Sequence, residues 1–177
     1  MATTVTRTSA HAGTPKNDNG RILPLPLVQG QAGFLLIPLS QELEVVKDYL
    51  AIESVRFEER LKIDWKISPD TESFEVPPLI IQTLVENGIK HGIAQLPEGG
   101  ILSIETTKSD DGLHIIIRNS GQYDAAKIPE SGFGMRNSIE RLELLYAGLA
   151  KISVTNENAK TVITKLFIPV LNGKIKN

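Results

Sequence analysis

The 177-residue sequence contains no cysteine, which excludes disulfides, thiolate metal sites and cysteine nucleophiles and suits a reducing compartment. It also lacks a long run of one charge: 19 Lys and Arg stand against 21 Asp and Glu, for a net charge of −2. Such a balance gives no hold on nucleic acid or on an anionic membrane surface. Long apolar runs are missing too. Residues 22–28 are interrupted by Pro24 and Pro26, and residues 34–39 are equally short, so neither spans a bilayer and no direct membrane insertion is expected. Ser-His-Asp, paired-carboxylate and HExxH arrangements are absent, as is any internal repeat.

What is present is ordinary globular material, 41% hydrophobic and 23% charged, enough for one domain with its own core. Residues 1–21 hold almost no large apolar side chain and are expected to be disordered. From Ser40, a good N-cap, Leu43, Val46 and Leu50 recur at helical spacing, and Glu42 and Glu44 suit the positive helix end. This predicts a helix over about 41–56. Leu61, Ile63, Trp65 and Ile67 alternate with polar residues, which predicts a half-buried strand closed by the turn Ser68-Pro69-Asp70. Pro77-Pro78 suits the start of a second helix ending near Gly92. Strands at about 101–107 and 113–119 are joined by a hairpin turn at 109–112. An aperiodic stretch to 133, a helix over 134–147 (Ile139, Leu142, Leu145) and strands at 150–155 and 161–168 complete the order.

Hairpins with helices between them, and no regular alternation of strand and helix, predict an α+β fold. The expected architecture is a two-layer sandwich, a mixed, mostly antiparallel sheet with helices on one face.

Three segments attract chemical interest. In the second helix Asn87 and Gly88 are poor helix formers, Gly costing about 1 kcal/mol relative to Ala. An amide oxygen is a hard ligand suited to Mg²⁺, and Lys90 lies one turn from Glu86; a surface Glu86–Lys90 ion pair beside an ordinary Asn fits equally well. At the end of a strand, Asn119-Ser120-Gly121 is placed to read a ligand at the sheet edge, or is simply a turn. Gly132-Phe133-Gly134-Met135 precedes a helix, where free N–H groups favour phosphate, although a flexible linker also explains it.

These segments, in this order, resemble the ATP-binding half of sensor histidine kinases of the LytS-like branch, within the superfamily that includes gyrase and the mismatch-repair ATPases. Residues 37–43 with Tyr49 and Arg56-Phe57 look like the linker helix, and 76–92 is similar to the N box. Residues 132–137 with 141–146 resemble the second glycine box, and 161–169 the closing strand. The resemblance implies a Bergerat-type ATP-binding fold with ATP and Mg²⁺ as ligands. It implies that Asn87 binds the metal, that Lys90 and His91 lie near the phosphates, and that Gly132, Phe133, Gly134 and Met135 form the phosphate turn. It also implies that Asn119 and Gly121 meet the adenine, with Thr161 helping to hold it. Glu86, beside the metal ligand, is the candidate catalytic base.

Domain limits follow as a leader at 1–36, a linker helix at 37–60, the ATPase-like domain at 61–171 and a tail at 172–177. The sequence departs from the family pattern at three places: Asn119 replaces an Asp, Tyr123 replaces a glycine, and Lys160 stands where a glycine usually precedes Thr161. No acceptor-histidine motif surrounds His11, His91 or His114. The expected partners are therefore an acceptor-histidine domain located outside this chain or a response regulator, with a homodimer possible only if an acceptor helix is supplied. The expected compartment is the cytoplasm. Two functions stay open: the catalytic half of a kinase, or a non-catalytic nucleotide-binding or docking module derived from one.

Overall fold

The computed structural model describes residues 36–124 and 133–170, and of Phe133 only the backbone. The expectations for the leader before residue 36, for Gly132 and for the tail lie outside the described residues.

In chain order the elements are β1 Ile37–Pro38, α1 Leu39–Phe57, β2 Leu61–Ile67, β3 Glu75–Val76, α2 Ile80–His91, β4 Gly100–Lys108 and β5 Gly112–Ser120. They continue with α3 Phe133–Tyr146, β6 Lys151–Asn158 and β7 Thr161–Pro169. Five strands form one sheet in the order β2-β4-β5-β7-β6. Only β2–β4 is parallel; the other three pairings are antiparallel. This is the mixed, mostly antiparallel α+β sandwich expected.

Alternation makes the sheet two-faced. Along β5, Leu113, Ile115 and Ile117 are buried, while His114, Ile116 and Arg118 point the other way. The helices cover the first face with Val46 and Leu50 of α1, Leu84 and Ile89 of α2, and Leu142 and Tyr146 of α3, all in one core. Each fully buried side chain of this size contributes about 1.5–3 kcal/mol. On the open face Arg118 bridges Glu105 at 3.1 Å and Glu157 at 3.0 Å.

The helix starts differ from expectation. Pro38, not Ser40, precedes α1, and the first N–H groups are satisfied by backbone: Leu39 and Ser40 donate to the carbonyls of Phe74 and Glu72, at 2.8 and 3.0 Å. A short β1–β3 ladder, Ile37 opposite Val76, accompanies this contact. Helix α2 begins at Ile80 rather than at Pro77-Pro78, after Leu79 in a left-handed conformation at φ 63°.

Its free N–H groups are taken by a side chain from another helix. Glu42, fully buried, accepts from the backbone N–H of Leu79 at 2.7 Å, Ile81 at 3.0 Å and Gln82 at 3.2 Å. The carboxylate expected to favour its own helix end serves α2 instead, where orphan donors and the helix dipole both favour a negative charge. Two smaller differences follow from packing. Ile139, expected in the core stripe of α3, is 38% exposed, and β6 continues to Asn158, which tightens the turn before β7.

Candidate nucleotide site

An open cavity of about 1720 Å³ lies between the second half of α2, the end of β5, the start of α3 and the β6–β7 hairpin. Its floor is built by close approach of α2 to β5. A Cβ on Gly88 would lie 3.1 Å from Asn119 Oδ1, and one on Gly92 only 2.1 Å from Asn119 Nδ2. Gly121, at φ +130°, meets the same stretch of helix: a Cβ there would lie 2.8 Å from Gly92 Cα. The out-of-place glycine in α2 thus has a packing reason, because the carboxamide of Asn119 occupies the space a side chain would fill.

Asn119 is 3% exposed, and its Nδ2 donates to the Ser120 carbonyl at 3.0 Å. Asn87, one residue before the first of these glycines, lines the cavity. Its Nδ2 donates to the Thr83 carbonyl at 2.9 Å, which fixes the amide and leaves Oδ1 able to accept or to ligate. His91 and Met135 also line the space. Gly134 places the first turn of α3 beside α2: a Cβ on it would lie 3.3 Å from Thr83 Cγ2.

Four expected residues, Gly134 among them, stand outside the lining. Glu86 accepts from Gln82 Nε2 at 2.7 Å, and the Glu86–Lys90 ion pair of the alternative reading is not among the ion pairs of the described residues. The Glu86 carboxylate is felt by Tyr49 on α1, whose hydroxyl is pushed up to about 12 by burial first and then by Glu53 and Glu86. Lys90, one turn beyond Asn87, is exposed. Thr161 pairs with Ser120, and strand parity turns it away. Val162, opposite Asn119, and the buried Thr164 face inward.

Thr164 was missed in the sequence although the signal was there, since it shares parity with the buried Leu166 and Ile168. The wall after β5 was also not foreseen. Gly121 N–H donates to the Lys160 carbonyl at 3.0 Å and Gln122 Nε2 to the Ala159 carbonyl at 2.8 Å. Asn156 grips Tyr123 from both sides, Oδ1 accepting its N–H at 2.7 Å and Nδ2 donating to its carbonyl at 2.8 Å. The glycine replaced by Tyr123 therefore lies in a segment stapled to β6.

Among the described residues no group of three or more His, Asp or Glu is placed to hold a metal ion. A divalent cation here would take one amide oxygen, from Asn87, and complete its shell with phosphate oxygens and water, the usual habit of Mg²⁺. The donor set fits that ion in that company.

No family model matches the chain. It is 37% identical, over 153 residues, to the sensor protein LytS of Oceanobacillus iheyensis; the match takes in 78% of the chain and 26% of that relative. The chain thus spans about a quarter of the length of this curated relative. Among solved structures, the catalytic domain of histidine kinase ThkA superposes with a TM-score of 0.59 at 16% identity, covering 78% of this chain and 97% of that one. Full-length ShkA in complex with AMPPNP gives a TM-score of 0.55 at 17% identity, covering 78% of this chain and 32% of that one. In sequence the chain is a homologue of the LytS-type sensor histidine kinases, and it shares its fold with the catalytic domains of histidine kinases.

Proposed function

We propose that this chain is the ATP-binding catalytic half of a two-component sensor histidine kinase, passing the γ-phosphoryl group of Mg·ATP to a histidine on an acceptor helix. The observation that carries the reading is the cavity floor, where Asn87 presents a fixed amide oxygen beside the glycine-lined cleft that ends on Asn119. The homology to LytS and the AMPPNP complex of ShkA support it.

Bound Mg²⁺ would neutralise charge on the terminal phosphates. The chain's own residues do the positioning: Asn87 orients the metal end, the first turn of α3 offers N–H groups to phosphate, and Asn119 meets the base. Phosphoryl transfer of this kind depends on placement and charge rather than on covalent chemistry by the protein. A base from Glu86 is not needed, and its carboxylate is engaged with Gln82. His91 sits on the cavity lining and His114 against Phe167 on the sheet, so neither stands on a helix offered to a second active site. The acceptor comes from another domain, with a response regulator downstream and the cytoplasm as the compartment.

The test is transfer in trans. Incubating the chain with labelled ATP, Mg²⁺ and the acceptor-histidine domain of a LytS-type kinase should label the acceptor. An acceptor that stays unlabelled while ATP is demonstrably bound sinks the catalytic half of the proposal. One observation favours a second reading, a nucleotide-binding or docking module: an uncharged amide, Asn119, in place of a carboxylate at the base end. Under it, ATP binds and no acceptor is labelled.

A further inference from the structure

We infer that Asn119 opens the base pocket to 6-oxopurine nucleotides alongside 6-aminopurine ones, so that base selectivity at this site is weak. The inference rests on the nucleotide reading above and concerns which nucleotides enter.

The amide stands at the end of the cavity with almost no exposure. Against it lie the bare backbone of Gly88 and Gly92 and, on the neighbouring strand, the apolar Val162, in a cavity that Gly121 and Met135 also line. Such a surface takes a flat ring with one polar edge. A buried polar group in such a place decides selectivity, because a ligand that leaves it unpaired, or sets like against like, loses the whole desolvation cost.

A carboxylate at this position would only accept. It would pair with the amino group at the purine 6-position and repel an oxygen there, lone pair against lone pair. The carboxamide differs in one respect that matters. Its Nδ2 carries two N–H groups, and the Ser120 carbonyl uses one of them. Among the described residues no other hydrogen bond uses Nδ2 or Oδ1, so the anchored carboxamide keeps one donor and one acceptor for a ligand. A 6-amino group finds Oδ1, and a 6-oxo group finds N–H. No rotation of the amide is required, so the Ser120 hydrogen bond is kept with either base. Val162 opposite Asn119 carries no hydroxyl that would restore the discrimination.

The experiment is calorimetric titration of the chain with ATP and with ITP, both with Mg²⁺, repeated on Asn119→Asp. The wild-type chain should bind the two nucleotides within about tenfold of one another, and the carboxylate should widen the gap in favour of ATP by at least about tenfold, the scale of one lost or opposed hydrogen bond. A wild-type preference for ATP wider than about tenfold overturns the inference, and so does an unchanged ratio in a folded Asn119→Asp. If the variant fails to fold, the wild-type ratio decides alone. If neither nucleotide binds the wild-type chain, the nucleotide reading itself has failed and the inference falls with it, a result distinct from tight, ATP-only binding.

Discussion

Gly88 in α2 and Gly92 just after it carry different strain limits, and they separate packing from ligand contact. At Gly92 an added Cβ would meet Gly88 O at 2.6 Å and Ser120 O at 2.7 Å as well as the Asn119 amide. Backbone atoms cannot yield as a side chain can. Gly92→Ala is therefore expected to destabilise the fold by about 2–4 kcal/mol, as overpacking does, read as a lower urea midpoint. At Gly88 the nearest atoms all belong to the Asn119 side chain, from 3.1 to 3.4 Å away. Gly88→Ala gains about 1 kcal/mol of helix propensity and pushes the amide aside by a few tenths of an ångström. Its stability should stay near wild type while ATP affinity falls, a split visible by titrating a fluorescent ATP analogue against both variants. Equal loss of stability in the two would show that the floor is packed otherwise.

Much of this residue-scale picture was legible in the sequence, and the failures have physical causes. Asn87 and Gly88 stood out as poor helix formers, and both prove to have structural consequences. Glu86 is placed by adjacency to Asn87 and Lys90 by helical spacing and by the resemblance, whereas the phase of α2 decides which side chains line the cavity. Thr161 was placed by motif, and one step of strand parity moves the inward hydroxyl to Thr164.

Among the elements, α2 is held at its N-terminus by both other helices. Glu42 of α1 accepts three of its N–H groups, and Arg141 of α3 donates to the Pro78 carbonyl just before it. Since α2 also carries Asn87 and His91, the clamp at one end orients the lining at the other. Removing the carboxylate with Glu42→Ala leaves three donors unpaired, one buried and two part-buried, and should cost about 3 kcal/mol in urea unfolding. Glu42→Gln keeps acceptor oxygen but loses the charge favoured at a helix start, for about 1–2 kcal/mol. A Glu42→Ala protein as stable as wild type would show that the clamp contributes nothing. No local pattern announces such a contact. Glu42 and its partners are 37–40 residues apart, and to the sequence alone a Glu in a first turn is explained by its own helix. The strands were easier, because alternation in β2 and the 109–112 turn are local signals that tertiary packing did not override.

For the molecule as a whole, alkaline stability follows from its buried phenol. Tyr146 is 2% exposed and packs in the common core; burial first, with the Glu75 carboxylate adding, pushes its hydroxyl up to about 12. In the unfolded chain the same group ionises near the ordinary tyrosine value of about 10. The unfolded state therefore releases its proton first. The stability is fully present below about pH 10 and falls as pH rises from there through the folded value. Unfolding midpoints measured between pH 9 and 12 should decline, and Tyr146→Phe should flatten the decline after allowance for Tyr49, which is shifted the same way. A Tyr146→Phe curve parallel to wild type would contradict this.

For the whole molecule, the proposed function requires that one cavity floored by α2 and β5 bind Mg·ATP through Asn87. It is tested most directly by titrating ATP into the chain with and without Mg²⁺, for wild type and Asn87→Ala. Expected are a dissociation constant in the micromolar-to-millimolar range with Mg²⁺, at least about tenfold weaker binding without it, and little Mg²⁺ dependence in the variant. No ATP binding at millimolar concentration, or binding equally indifferent to Mg²⁺ in both proteins, would contradict it.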